Sequence, residues 1–235
     1  MEFQEISIAD APAASGDSEI TAVSNSESQR EFILQRAVER GLTNVRVITA
    51  DMRAFDIDQR FDRIVSVEMF EHMRNYRLLS QRVAGWMDDD GKAFVHVFCH
   101  RNHPYLFETE GAANWMGRHF FTGGTMPSEQ LFGQFEDDLS IATQWSVSGI
   151  HYWRTCEAWL ENIDRNRTEI LREFSQDMSM TEARLVLQRW RMFMMACAEL
   201  FRFGGGSEWF VAHYLFEKTQ NQAARTRIEH EPATT

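Results

Sequence analysis

The chain has 235 residues, 43% hydrophobic and 25% charged, which fits a globular protein and excludes wholesale disorder. That length allows one large domain or two small ones, with roughly 70–75% of the unfolded surface buried. The formal net charge of −11 opposes generic binding to nucleic acid or anionic lipid without a basic patch, and the sequence shows none, so a cationic or neutral small partner fits better.

Three cysteines, Cys99, Cys156 and Cys197, are widely spaced and form no CxxC pair. They point to a reducing cytoplasm rather than a disulfide framework. The first 19 residues are acidic and lack the apolar core of a signal peptide. The most apolar late stretch, 185–203, carries Arg189, Arg191, Glu199 and Arg202. It reads as a core helix, so no stable membrane insertion is expected. The expected organisation is an irregular segment over 1–18, a folded domain over 19–218 and a disordered tail over 219–235.

In chain order, residues 20–24 (ITAVS) read as a strand. Ser26 and Gln29 then form a capping box that opens a helix ending at Gly41. Residues 45–50 (VRVITA) and 61–67 (FDRIVSV) are further strands, the second apolar enough to be buried on both faces. A helix through Leu78, Leu79, Val83 and Trp86, a DDDGK turn and a buried strand over 93–98 follow. This α/β alternation predicts a parallel sheet with helices on both faces. Residues 100–127 form a long loop rich in Gly, His and aromatic residues, a length that usually signals function, often a lid. A short helix near 128–137, a strand over 141–147, helices over 151–175 and 181–203, and a last strand over 208–216 complete the chain. The helices form an insertion before that last strand.

The sharpest cluster is Glu68-Met69-Phe70-Glu71-His72, directly after a strand, where ligands of open α/β sheets bind. A helix starting at Glu68 would put Glu68, Glu71 and His72 on one face. Such a group does general-base work, holds a cation, or is an ordinary acidic N-terminal turn. A second group, His96, Cys99, His100 and His103, has metal-like composition, but strand alternation scatters its side chains, so no metal is expected. His96 reads as a core histidine unless it shares a cleft with Glu71. Tyr152, at the start of a long helix, is either a cleft phenol or a packed aromatic.

The segments ITAVSNS, DRIVSVEMFEHMRNY, VHVFCHRNHPYLFE, HFFTGGTMPS, HYWRTCEAWL and ELFRFGGGSEWFVAHYLFEK, in this order, resemble S-adenosylmethionine-dependent methyltransferases of the coclaurine N-methyltransferase-like branch of the cyclopropane-fatty-acid synthase superfamily. The resemblance runs from about Glu19 to Lys218 and implies the class I methyltransferase (Rossmann-like) fold, with S-adenosyl-L-methionine as cofactor. It implies that Ser24 and Gln29 contact the amino-acid and ribose portions of the cofactor, and that Asp51 and Met52 hold the adenine. It further implies that Glu71, His96 and Tyr152 correspond to the bicarbonate ligands of cyclopropane synthases, and that Glu68, Glu71 and His72 correspond to the catalytic segment of the amine enzymes. Cyclopropane synthases usually carry a small residue where Glu68 stands, which favours the amine branch.

The implied reaction is N-methylation of a small amine; the alternatives are methylation or cyclopropanation of an unsaturated acyl chain, and a non-catalytic remnant of the fold. An amine must lose a proton before it attacks, and a carboxylate or imidazole can take it. Phe70, Tyr105, Trp115, Phe120 and Tyr152 are candidates to cage an ammonium, each contact giving ~0.5–2 kcal/mol. The family's Gly-rich turn should lie just before ITAVS, yet Gly16 is the single glycine among the 19 residues preceding Ile20. The expectation is therefore a chain without the first strand, its glycine loop and the helical segment before it. Cofactor binding is then in doubt, and an exposed sheet edge favours self-association.

Overall fold

A computed structural model describes residues 18–111 and 114–219. The expected segments 1–18 and 219–235 lie almost wholly outside the described residues. The chain divides into two compact units, one ending at Arg60 and the other starting at Phe61.

In the first unit, β1 (Ile20–Ser24) pairs in parallel with β2 (Val45–Thr49), and α1 (Glu27–Glu39) links them. This is a right-sized crossover: the helix lays Ile33 and Ala37 inward, and Val47 of β2 is buried with them. Ser26 caps α1 by accepting from the Gln29 amide at 3.3 Å. The expected reciprocal half of a capping box is replaced, because the Gln29 side chain takes the Ser24 hydroxyl instead at 2.6 Å. Gly41 follows the helix at φ +68, the left-handed conformation that ends helices cheaply.

The second unit is built on a four-stranded sheet in the order β3 (Phe61–Val67), β4 (Met87–His100), β8 (Trp209–Lys218), β7 (Leu139–Val147). The parallel pairing expected from the first half holds for β3 and β4, and β8 from the second half runs antiparallel to both β4 and β7. DDDGK is not a turn between elements but part of β4. The register jumps from Phe61↔Met87 to Arg63↔Lys92, so the extra residues form a bulge. Gly91 sits in it because a Cβ there would lie 2.9 Å from the Asp88 carbonyl oxygen.

β3 is also not buried on both faces. It is the sheet's edge, with Val65 67% and Val67 41% exposed. β4 and β8 form the buried centre, with Val95, Val97, Phe210, Ala212 and Tyr214 nearly inaccessible.

Between β3 and β4 stands α2 (Tyr76–Trp86), capped by the Asn75 side chain, which accepts from the Leu78 amide at 3.1 Å. The long loop carries a two-stranded pair, β5 (Tyr105–Leu106) with β6 (Thr125–Met126), and a short helix α3 (Trp115–His119). The helix expected near 128–137 is a single 3-10 turn, Phe132–Gln134. The two long helices are three: α4 (Gly149–Arg165), α5 (Arg167–Asp177) and α6 (Met180–Arg202). Asn166 separates the first two, and Ser179 opens α6 with a complete capping box to Glu182. Cys156 of α4 and Cys197, Ala198 and Phe201 of α6 close a core with Phe98 and Met126, and the loop rings Phe107 and Phe121 pack on it. No helix among the described residues is long and apolar enough to cross a membrane.

Candidate active site

The site lies at the carboxyl end of β3, in the second unit. β3 ends at Val67, paired with His96, and the Glu68 amide donates to the His96 carbonyl at 3.0 Å. Glu68 then takes φ +50, the left-handed region that non-glycine residues rarely occupy. The chain leaves the sheet sharply there, and a 3-10 turn, Phe70–His72, follows. The helix expected to start at Glu68 therefore begins eight residues later, at Tyr76. Strain of about 1–3 kcal/mol at one residue is the kind that persists where a site fixes it.

This turn still brings the carboxylates together, by a tight reversal rather than helical spacing. Glu71 is 1% exposed and its Oε2 has no hydrogen-bond partner within the structure. Burial first, and the Glu68 negative charge second, raise the Glu71 carboxyl well above the usual range. His72 sets its Nε2 3.9 Å from Glu71 Oε1. His96 sets its Nε2 2.9 Å from Glu68 Oε1. That approach is off the line of a hydrogen bond, and both atoms are buried without another partner. Tyr152, on the first turns of α4, presents its ring to His96 at 6.3 Å and stacks on Phe201 at 4.7 Å. Burial and the Glu68 charge push its phenol far up, so it stays protonated. The structure thus gathers Glu68, Glu71, His72, His96 and Tyr152 in one place, with buried polar atoms of Glu68, Glu71 and His96 left without a hydrogen-bond partner among the described residues.

The aromatic candidates scatter. Phe70 is buried edge-on against Phe132, 5.6 Å between centroids, and its ring is part of the core. Tyr105 accepts from the Trp209 indole at 3.2 Å. Trp115 packs on Phe120 at 5.4 Å, and Phe120 stacks on Phe193 of α6 at 4.1 Å. Tyr105 thus ties the long loop to β8, and Phe120 ties it to α6. Gly124 brings that loop against the site: a Cβ there would lie 3.2 Å from the Glu71 carbonyl oxygen.

Among the histidine–cysteine group, His100 has a structural task. Its Nδ1 accepts from the amides of Asn102 and His103, both at 3.0 Å, turning the chain after β4. Burial pushes the Cys99 thiol up to about 12. Among the described residues no three His, Cys, Asp or Glu side chains are grouped to hold a metal.

Two neighbours of the site escaped the sequence reading. His213 of β8 lies 2.9 Å from His96, Nε2 to Nδ1. Tyr76, the first residue of α2, has its phenol raised by burial and by the Glu71 charge. Cross-strand register was the signal for His213, and no single segment carries it.

The cofactor candidates lie in the first unit. Ser24 is buried at the carboxyl end of β1, where its hydroxyl also accepts from the Ser26 amide at 3.2 Å. Asp51 follows β2 and is clasped by Arg53, whose Nε donates to both carboxylate oxygens at 3.0 Å. That clasp holds the Asp51 carboxyl down at about 2. An acceptor at a strand's carboxyl end, beside the apolar Met52, fits the adenosine portion of a nucleoside cofactor once Arg53 yields an oxygen. Gly41 is the one glycine among the described residues of this unit, and it ends α1.

Comparison with known proteins identifies the family. The profile of the family described as mycolic acid cyclopropane synthetase matches residues 7–207. The chain is 40% identical over 204 residues to (S)-coclaurine N-methyltransferase of Papaver somniferum, covering 85% of this chain and 58% of that protein. It is 38% identical over 207 residues to the protein of the same name from Thalictrum flavum subsp. glaucum, covering 86% and 57%. A crystal structure of coclaurine N-methyltransferase bound to N-methylheliamine and SAH superposes with a TM-score of 0.80 at 36% identity, covering 85% of this chain and 60% of that one. The chain therefore spans less than three fifths of the length of the curated relatives it matches, and it belongs to the mycolic acid cyclopropane synthetase family.

Proposed function

We propose that this chain carries the site of an S-adenosylmethionine-dependent N-methyltransferase acting on a small amine, of the kind named in its relatives: coclaurine, and the heliamine whose N-methylated form is bound in one solved structure. The observation that carries this reading is the Glu68 carboxylate, strained into place beside Glu71 and His96 with a buried oxygen free to accept. Ser24, Gln29, Asp51 and Met52 would hold the cofactor, which supplies an electrophilic methyl on a sulfonium.

The residues of the second unit handle the proton. An ammonium approaching Glu68 is attracted by its charge and gives up its N–H to the carboxylate. The freed nitrogen lone pair would then be available to the methyl group that a bound cofactor supplies. Burial and the Glu68 charge raise the Glu71 carboxyl, which makes it a weaker competitor for a negative charge than Glu68, and the Tyr152 phenol, pushed up by burial, is a donor beside them. Before the proton transfer the Glu68 carboxylate offsets the charge of the approaching ammonium.

The −11 net charge supports a cationic substrate. Three buried thiols support a reducing, cytoplasmic location. The bare apolar edge of β3 supports self-association. The test incubates the full chain with S-adenosylmethionine and either heliamine or an unsaturated phospholipid, with mass detection. N-methylated heliamine is the expected product. A methylated or cyclopropanated acyl chain would shift the assignment to the lipid reaction, and no product from either substrate would leave a non-catalytic fold.

A further inference from the structure

The amine reading uses one side of His96. Its other ring nitrogen faces a residue to which no role has yet been given, and the sheet register explains why. Trp145 of β7 pairs with His213 of β8, which pairs with His96 of β4, which pairs with Val67 of β3. Directly paired residues on adjacent strands point to the same face. A row of side chains therefore crosses the sheet and ends where Glu68 begins. His213 is wedged between the rings of Phe94 at 5.1 Å and Trp145 at 5.3 Å, so its imidazole is held in orientation.

Two hydrogen-bond arrangements are open to the neutral pair, and they are not equal. In one, His213 Nε2–H donates to His96 Nδ1, leaving His96 Nε2–H to face the Glu68 carboxylate oxygen at 2.9 Å. The buried His213 Nδ1 is then a lone pair without a donor. In the other, His96 Nδ1–H donates to His213. That sets the His96 Nε2 lone pair against a carboxylate oxygen and buries an N–H on His213 Nδ1 with no acceptor. Both consequences disfavour it, since a carboxylate attracts a donor and an orphaned buried N–H is rarer than an orphaned acceptor. A doubly protonated His96 strands the same N–H on His213. Burial and the neighbouring His96 both lower the His213 imidazole, consistent with a single proton on it.

We infer that His213 is a positioning residue that locks His96 in its Nε2–H tautomer, so that an N–H rather than a lone pair lies beside the Glu68 carboxylate where the amine would approach. The role is that of the outer member of a three-residue chain, His213–His96–Glu68, running across three adjacent strands. It extends the amine reading only in its kinetic arm; the tautomer itself requires no substrate.

The test uses the full chain labelled with 15N-histidine, whose eight histidines are sorted by loss of the His96 signals in a His96→Gln variant. Protonated and bare ring nitrogens have well-separated 15N shifts. The expected spectrum places the His96 proton on Nε2 in the wild type and in His213→Gln, whose amide N–H replaces the donor. His213→Phe, which cannot donate, should show both tautomers. In N-methylation of heliamine, His213→Phe should lower kcat about 10-fold with the amine KM within about twofold, and His213→Gln should restore most of the rate. A wild-type His96 protonated on Nδ1, or on both nitrogens, overturns the inference, and so does an unchanged Nε2–H tautomer in His213→Phe. If His213→Phe does not fold, the wild type and His213→Gln still decide it. Tautomers as expected with no methylation of heliamine would fail the amine reading and leave this inference standing.

Discussion

Glu68 and Glu71 stand three residues apart, yet their environments push them to different tasks. Glu71 is sealed in and its carboxyl is raised by burial and by the Glu68 charge, while Glu68 sets an unpartnered oxygen next to His96. Because the Glu71 carboxyl is raised in the folded state, folding takes up a proton there as pH climbs past the ordinary carboxylate value of about 4.3. Its contribution to stability is complete below that value and is lost as pH rises through the raised one. Glu71→Gln, which removes the charge and keeps the shape, should therefore raise the melting temperature at neutral pH, with the gain shrinking toward pH 4. Thermal melts across that range read it directly. At the cofactor side, Asp51→Ala should weaken binding of S-adenosylhomocysteine about tenfold, or ~1.4 kcal/mol, by titration calorimetry. The cluster Glu68, Glu71 and His72 was legible in the sequence because it follows a strand. Its geometry was not, since a left-handed backbone at Glu68 is a departure that spacing rules do not encode.

At the scale of elements, close backbone approach decides what Gly149 does. Gly149 opens α4, and a Cβ there would lie 2.1 Å from the Trp209 carbonyl oxygen and 2.4 Å from that of Phe201. Both are main-chain atoms of packed elements, so nothing cheap moves aside. Gly149→Ala should cost about 3 kcal/mol in chemical denaturation, while Gly133→Ala, whose nearest neighbour is a side-chain carbon at 3.9 Å, should stay within about 0.5 kcal/mol. Tyr152 rides on α4, so the first change should also displace it from His96. The strands of the sheet were readable from their apolar runs. The direction of β8 was not, because three helices intervene and composition says nothing of which way the chain re-enters. DDDGK misled for a related reason: a glycine required by a bulge looks the same as one required by a turn.

For the whole molecule, the apolar edge at β3 is the unsatisfied feature. Val65 and Val67 are exposed along a strand bonded on one side within its sheet, and such edges recruit other chains. Val65→Lys should shift the protein toward monomer in sedimentation velocity without loss of helix by circular dichroism. An unchanged distribution would place any association elsewhere. The net charge and the site agree in sign: an acidic chain has a carboxylate in its candidate site, which suits the cationic amine proposed. The measurement that bears most directly on this account compares wild type with Glu68→Gln in methyl transfer from S-adenosylmethionine to heliamine, at saturating cofactor. The account predicts N-methylheliamine from the wild type and a kcat lower by about 10²–10⁴-fold in the variant. N-methylation at an equal rate in the two proteins, or none by the wild type, would contradict it.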